Sequence, residues 1–204
     1  METDRFGNPT HKKTIPLCLY GKSSNQAKAL IGDACKEVVK VAQATKKPIV
    51  LEKLNFKQKK LSLREKNTSY ARMLSSFSYS SILNHIKTRA SSQGIEIQEV
   101  NPAYTSIIGR VKFSKRYGLS IHHAAALVIA RRSLRFSEKL PPRLSDIPDG
   151  RNGHVALPLP ARIGREHVWT LWRRLGKKLS AVLVAHFWAM KNRSSSSLKT
   201  APVM

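Results

Sequence analysis

The stretch that decides the fold is residues 95–132, IEIQEVNPAYTSIIGRVKFSKRYGLSIHHAAALVIARR. Apolar and polar residues alternate at its start, which is typical of a strand. Asn101-Pro102 ends that strand, because proline lacks a backbone donor. Residues 107–115 predict a short basic strand. Ser120 can then cap a helix whose body is small and apolar and whose last residues are arginines.

The residues before this stretch alternate between strand and helix patterns. Residues 14–20 predict a short edge strand, and helical periodicity extends from a serine cap near residue 23 to about residue 46. The apolar run 49–51 predicts a buried strand. A long helix is predicted from about residue 68 to residue 92. This order of elements indicates an α/β fold.

The composition changes after residue 136. Residues 137–164 contain five prolines and three glycines, which predict a linker or loop. Residues 165–190 predict one more helix with an apolar face and a basic patch, and residues 191–204 predict a disordered tail. The three tryptophans of the helix, at 169, 172 and 188, suit either packing or stacking on a base.

The charge points to a polyanionic partner. There are 37 Lys and Arg residues against 12 Asp and Glu residues, a net charge of +25. Nucleic acid is the simplest partner for that charge, and an acidic membrane surface is the alternative. The longest apolar run, residues 181–190, is too short to span a bilayer, so no membrane partner is expected. Cys18 and Cys35 are too few for a four-ligand zinc site, so no zinc is expected. Both fall in apolar segments, so we expect them to be reduced core residues of a cytosolic protein.

Two residues are candidates for catalytic and metal-binding roles. Glu52 follows the apolar run 49–51, where a strand end would place it at the site edge of an open α/β sheet. Its carboxylate could hold magnesium or could pair with a lysine. His122 stands in the first turn of the helix that is predicted after Ser120. There it could bind metal, assist proton transfer or remain a surface residue. His123 lies on a neighbouring face and is the second choice.

A further set of residues suits contact with nucleic acid. Cations flank the same region and could form a phosphate-binding track or a solvated basic face, while the tyrosine among them could stack on a base or pack in the core. The predicted set is Arg110, Lys112, Lys115, Arg116, Arg131, Arg132 and Tyr104.

Three segments resemble one known family. IVLEKLN at 49–55, EVNPAYTS at 99–106 and HHAAALVIARR at 122–132 resemble the TnpB (OrfB) proteins, accessory proteins of bacterial insertion sequences. The resemblance covers residues 1–136. It implies an RNase H-like (RuvC-type) mixed sheet with flanking helices, a bacterial cytoplasmic location, and DNA cleavage linked to transposition. It also implies Mg²⁺ as cofactor, with DNA and a guide RNA as partners.

The resemblance assigns roles and also shows departures. Glu52 matches the family's second catalytic carboxylate, and His122 falls at the position of the third. The zinc-ribbon cysteines are absent, and the first catalytic aspartate belongs on a strand that would precede residue 1. We therefore expect a partial domain over 1–136 that lacks its first strand and does not cleave DNA alone. The alternative is a non-catalytic basic protein that binds DNA or RNA.

Overall fold

The computed structural model describes residues 1–53, 69–142, 144, 147–150, 153–158 and 166–197. These residues form a mixed α/β structure, as the sequence predicts. They divide into two compact units. The first contains residues 1–11 and 103–204, and the second contains residues 12–102. Within the described ranges, every helix is too short or too polar to cross a membrane.

The second unit holds two helices and a parallel pair of strands. Its elements are α1 (Ser24–Thr45), β3 (Ile49–Glu52), α2 (Ser69–Ser92) and β4 (Ile97–Val100). Strands β3 and β4 pair in parallel with Ile49 opposite Ile97. The buried core is formed by both helices and β3, through Ile31, Cys35, Val39, Ala42, Ile49, Ile86 and Ala90.

Helix α1 begins and ends as its sequence predicts. Ser23 is the N-cap: its side chain accepts a hydrogen bond from the backbone of Gln26, whose side chain in turn accepts one from the Ser23 backbone. This reciprocal pair satisfies donors that the first helical turn leaves open. At the other end Lys46 adopts a left-handed conformation with φ of 54°, which stops the helix.

The predicted strand at residues 14–20 is wrong. Residues 12–19 have no regular secondary structure. Pro16 offers no backbone donor to a neighbouring strand. Leu17 and Leu19 instead pack, partly buried, against the core of the second unit, so their apolar character reflects packing and not strand pairing.

The first unit begins with an antiparallel hairpin. Strands β1 (Glu2–Thr3) and β2 (Pro9–His11) flank a turn held by Asp4, whose carboxylate accepts hydrogen bonds from the backbone amides of Phe6 and Asn8 at 2.9 and 2.8 Å.

The remaining elements of the first unit follow residue 102. They are α3 (Thr105–Ile108), a π-helical segment (Gly109–Ser114), α4 (Lys115–Tyr117), α5 (Ile121–Ser133), the short strands β5 (Ile147–Pro148) and β6 (His154–Val155), and α6 (Val168–Ser197).

Residues 107–115 are helical, so the basic strand predicted there is wrong. Gly109 explains the difference, because its backbone lies directly against α5. A Cβ atom at this position would lie 2.5 Å from the carbonyl carbon of Ala124 and 2.6 Å from the nitrogen of Ala125. Such a close approach of two helices requires glycine at the crossing, and that contact is not visible in local alternation.

The segment 137–164 and the last helix complete the core of the first unit. Leu144, Ile147, Val155 and Leu157 of that segment are buried. The last helix begins at Val168 and runs past residue 190 to Ser197. Residues 198–204 of the predicted tail lie outside the described residues. The core also contains Ile108, Phe113, Leu119, Ala124, Leu127, Val128, Trp172, Leu175 and Leu179.

Candidate nucleic-acid interface

Glu52 ends strand β3 in the second unit. It lies opposite Val100 of β4, at the carboxyl end of the parallel pair. Its carboxylate accepts a hydrogen bond from the Tyr79 hydroxyl of α2. Partial burial raises the pKa of Tyr79, and the negative charge of Glu52 and this hydrogen bond raise it further. Glu52 is therefore engaged with a phenol at the strand end.

His122 lies exposed in the first turn of α5, in the first unit. The next residue, His123, takes part in the cap of that helix: the Ser120 hydroxyl accepts a hydrogen bond from the His123 backbone at 3.2 Å. The same hydroxyl lies 3.1 Å from Nδ1 of His123. His123 thus takes part in the cap, while the ring of His122 faces solvent.

A metal centre would need several ligands close together. Among the residues that the structure describes, no group of three or more His, Cys, Asp or Glu side chains could hold a metal ion. Glu52 and His122 belong to different units. The roles of Glu52 and His122 as metal ligands therefore stay predictions of the resemblance.

Two cations of the predicted phosphate track are held inside the first unit by Glu138. The Glu138 side chain is only 3% exposed, and it forms ion pairs with Lys112 and Arg131. Arg131 also lies over the ring of Phe113, with its Cζ atom 5.0 Å from the ring centroid. A buried carboxylate needs such partners, because an unpaired charge is costly in an apolar interior. Lys112 and Arg131 therefore stabilise the charge of Glu138 in this unit.

Arg132 and Tyr104 pack against the start of α6. Arg132 donates to the Ala103 carbonyl oxygen at 2.6 Å and lies over the Trp169 ring at 5.7 Å. Burial lowers the pKa of Arg132, and Glu138 partly opposes that effect. Tyr104 meets Trp169 edge to face at 6.2 Å between centroids. This packing favours the interpretation of Tyr104 as a packing residue.

Arg110 lies near an acidic partner. Burial lowers its pKa, and the nearby Asp149 opposes that effect. Asp149 is itself held in the β5–β6 turn, where its carboxylate accepts a hydrogen bond from the Gly153 amide at 2.9 Å. His186 of α6 lies 3.4 Å from the other carboxylate oxygen of Asp149. Arg110 therefore lies in an environment that contains both acidic and basic side chains.

Two of the predicted cations, Lys115 and Arg116, are exposed on α4. The Arg116 guanidinium lies over the ring of Tyr117, 5.2 Å from its centroid. The Tyr117 hydroxyl donates a hydrogen bond to Asn8 Oδ1 at 3.2 Å. We call Lys115, Arg116 and Tyr117 the α4 patch. It presents two cations beside a braced aromatic ring.

The sequence interpretation missed Glu138 and Asp149, the two carboxylates that organise the basic residues. Both fall in the Pro- and Gly-rich segment 137–164, which the sequence predicts as a linker or loop. A signal existed, because the chain has only 12 acidic residues against 37 basic ones. An acidic residue beside apolar positions in such a chain is a good candidate for a buried partner of arginine or lysine.

Comparison with known proteins adds no relative to these observations: no protein-family model, no curated protein and no solved structure matches the chain.

Proposed function

We propose that this chain is a nucleic-acid-binding protein linked to transposition, of the RuvC-like, RNase H-like type that its three motifs resemble. Its partners in this proposal are DNA and a guide RNA, in the bacterial cytoplasm. The observation that carries the binding proposal is the distribution of charge, in which carboxylates are engaged within the protein while cations remain at its surface.

The acidic side chains are largely engaged by internal partners. At least five of the 12 acidic residues contact a basic side chain: Glu37 with Lys13, Glu99 with Lys87, Glu138 with Lys112 and Arg131, Glu166 with Arg174, and Asp149 with His186. A net charge of +25 remains. A surface of this kind attracts polyphosphate, since each neutralised phosphate releases counterions.

The α4 patch is the part of the predicted track that suits this role best. Lys115 and Arg116 are exposed, and the ring of Tyr117 lies directly beneath the Arg116 guanidinium. A guanidinium braced in this way loses little freedom when it binds a phosphate. The patch would therefore supply phosphate contacts that position a strand without reading its sequence.

A salt titration tests the proposal. Fluorescence anisotropy with labelled single-stranded and duplex oligonucleotides should show affinity that falls linearly with the logarithm of salt concentration. The double variant Lys115→Gln/Arg116→Gln should reduce that slope by about 1.4 to 1.8, the amount for two lost phosphate contacts.

The matched control removes the same charge elsewhere. Lys36 and Lys40 are exposed on α1 in the second unit, so Lys36→Gln/Lys40→Gln should leave the slope unchanged. An equal reduction of the salt slope in both double variants would show that net charge alone drives binding. An absence of salt-dependent binding by the unsubstituted protein would contradict the proposed function.

A second candidate function is magnesium-dependent DNA cleavage. It is favoured by one observation, the position of Glu52 at the carboxyl end of a parallel strand pair. The proposal above expects no cleavage of DNA by this chain with Mg²⁺. Cleavage that disappears in Glu52→Gln while DNA binding is retained would instead establish the catalytic function. Loss of cleavage in His122→Ala would establish His122 as a second catalytic residue.

A further inference from the structure

Helix α6 has a buried face and an exposed face that the packing of the first unit leaves uncovered. Its buried face carries Leu171, Trp172, Leu175 and Leu179, which are between 0% and 7% exposed. At about 100° per residue, four exposed residues lie along the side opposite this face, among the residues whose burial the structure describes. They are Arg173, Lys177, Val184 and Trp188, which we call the outer stripe.

The outer stripe is exposed along its length. Arg173 and Lys177 are exposed, and Val184 and Trp188 are 58% and 53% exposed. Phe187 meets Trp188 edge to face, with 5.7 Å between ring centroids. The Trp188 side chain therefore offers aromatic surface to solvent beside the ring of Phe187.

The chemistry of the stripe changes from one end to the other. Arg173 and Lys177 are one helical turn apart, roughly 6 Å along the axis, and Trp188 lies roughly 16 Å beyond Lys177. The full stripe is therefore roughly 22 Å long. Cations stand at one end of this length and an aromatic surface at the other.

Charge restricts what can occupy the stripe. Helix α6, Val168–Ser197, contains no acidic residue. A second copy of the helix would bring like charges together, which disfavours self-pairing. The apolar part is confined to the end near Val184 and Trp188, which is a small area for insertion into a lipid surface.

Single-stranded nucleic acid fits both ends of the stripe. Its phosphates suit the two cations, and its unstacked bases present the flat face that an exposed indole can stack against. A duplex satisfies only the cations, because its bases are stacked and show only their edges in the grooves.

We propose that the outer stripe is a binding site for single-stranded nucleic acid, with phosphates on Arg173 and Lys177 and one base stacked on Trp188. The site rests on the proposed function that the chain binds nucleic acid, and it assigns the strand type and a location separate from the α4 patch.

Intrinsic fluorescence tests the stacking contact. Titration of the full chain with oligo(dT) should quench tryptophan emission, because Trp188 stacks on a base. Trp188→Leu should abolish most of that quenching and weaken binding by about 5-fold or more, as expected for the loss of one stacked base. Trp169→Phe removes a different indole from the same helix and should retain the quenching.

Two adjacent lysines give a matched control for the phosphate contacts. Lys177 and Lys178 are both exposed, but Lys178 is turned by about 100° away from the outer stripe. Lys177→Gln should weaken oligo(dT) binding and lower its salt slope by about 0.7. Lys178→Gln should change neither.

The outcomes separate this site from the general function. Salt-dependent binding that is equal in the unsubstituted protein, Trp188→Leu and Lys177→Gln would overturn the outer stripe and leave the proposed function standing. No binding to any oligonucleotide would overturn both. The stripe would also be overturned if Trp188→Leu weakened duplex binding as much as oligo(dT) binding. It would be overturned if the tryptophan emission shifted to shorter wavelength only with phosphatidylglycerol vesicles. A concentration-dependent dimer that Trp188→Leu dissociates would overturn it as well.

Discussion

The Arg131 guanidinium donates a hydrogen bond from Nη1 to the backbone carbonyl oxygen of Gly7, 2.8 Å away. The two residues are 124 positions apart. The same guanidinium contacts Glu138 through Nε and lies over the ring of Phe136 at 4.4 Å. Arg131 thus ties the amino-terminal hairpin, helix α5 and the segment after α5 to one another.

Replacing Arg131 should therefore destabilise the first unit. Arg131→Met keeps most of the side-chain volume but removes the Gly7 hydrogen bond and one partner of the buried Glu138. We expect the free energy of unfolding to fall by about 3 kcal/mol, in the range for breaking a buried ion pair. Urea unfolding followed by circular dichroism measures this loss.

The control for Arg131 is Lys139→Gln. Lys139 is exposed, and surface changes usually alter the free energy of unfolding by no more than about 0.5 kcal/mol. Equal midpoints and slopes for Arg131→Met and Lys139→Gln would contradict a structural role for Arg131.

Gly109→Ala should also destabilise the protein, because the added methyl group would overlap the backbone of Ala124. Overpacking of a close helix contact costs about 1 to 3 kcal/mol or more. Gly32→Ala is the matched control. Gly32 is also a helical glycine, but a Cβ atom there would meet only the end of the Arg89 side chain at 3.7 Å.

Gly109→Ala should lower the melting temperature, whereas Gly32→Ala should not. Alanine in a helix interior is favoured over glycine by roughly 0.5 to 1 kcal/mol, so Gly32→Ala should preserve or raise the melting temperature. A melting temperature for Gly109→Ala that matches Gly32→Ala would show that the crossing with α5 is loose.

Glu52→Gln should lower the pKa of Tyr79. The amide oxygen of glutamine can still accept the phenol hydrogen bond, but the negative charge that opposes phenolate formation is gone. Absorbance titration of the phenolate band, with Tyr79→Phe as the reference, measures the shift.

Glu96→Gln removes the same charge from an exposed position in the second unit and should leave the Tyr79 titration unchanged. If Glu52→Gln and Glu96→Gln give identical titrations, then Glu52 is not the group that acts on Tyr79.

The two cysteines should differ in reactivity. Cys18 is exposed, so the core position predicted for it is wrong. Cys35 is buried and donates a hydrogen bond from Sγ to the Ile82 carbonyl oxygen at 3.6 Å. Burial raises the pKa of the Cys35 thiol, an effect that Arg89 partly opposes. Because the thiolate is the reactive form, iodoacetamide should modify Cys18 quickly and Cys35 only after the protein unfolds.

The same raised pKa makes stability depend on pH. The unfolded thiol loses its proton as the pH rises past about 9, whereas the native thiol keeps it. The unfolded state then binds fewer protons, so the free energy of unfolding should decrease with pH above that value. Cys35→Ala should flatten this decrease relative to Cys18→Ala. Rapid alkylation of Cys35 in native protein, or an unchanged pH profile in Cys35→Ala, would contradict the burial of this thiol.

The elements that the sequence predicted well are those encoded locally. Helix α1 has a serine cap and sustained periodicity, and strand β3 is a short apolar run between a helix end and a charged connection. Strand β4 and helix α5 were likewise marked by alternation, by Asn101-Pro102 and by the Ser120 cap. Each of these signals acts within a few residues, so it can be interpreted without knowledge of the tertiary contacts.

The elements that were predicted wrongly depend on distant partners. Residues 107–115 alternate well enough to suggest a strand, yet Gly109 lets them pack as a helix against α5. The basic residues posed the same difficulty, because the sequence alone does not distinguish Lys112 and Arg131 from an exposed cation such as Arg116. Their contact with Glu138, 26 residues from Lys112 and 7 from Arg131, distinguishes these two half-buried cations from exposed ones such as Arg116. The assignments of Glu52 and His122 as catalytic residues stay predictions of the resemblance.

The bond between Arg131 and Gly7 has a consequence for the order in which the protein can mature during synthesis. Residues 12–102 form a unit of their own, and all of their partners within that unit have been made by the time residue 102 is added. The hairpin of residues 1–11 packs instead with residues 103–204. The hairpin residues are thus synthesised before residues 12–102, but they complete their native contacts only after residues 103–204 have been made.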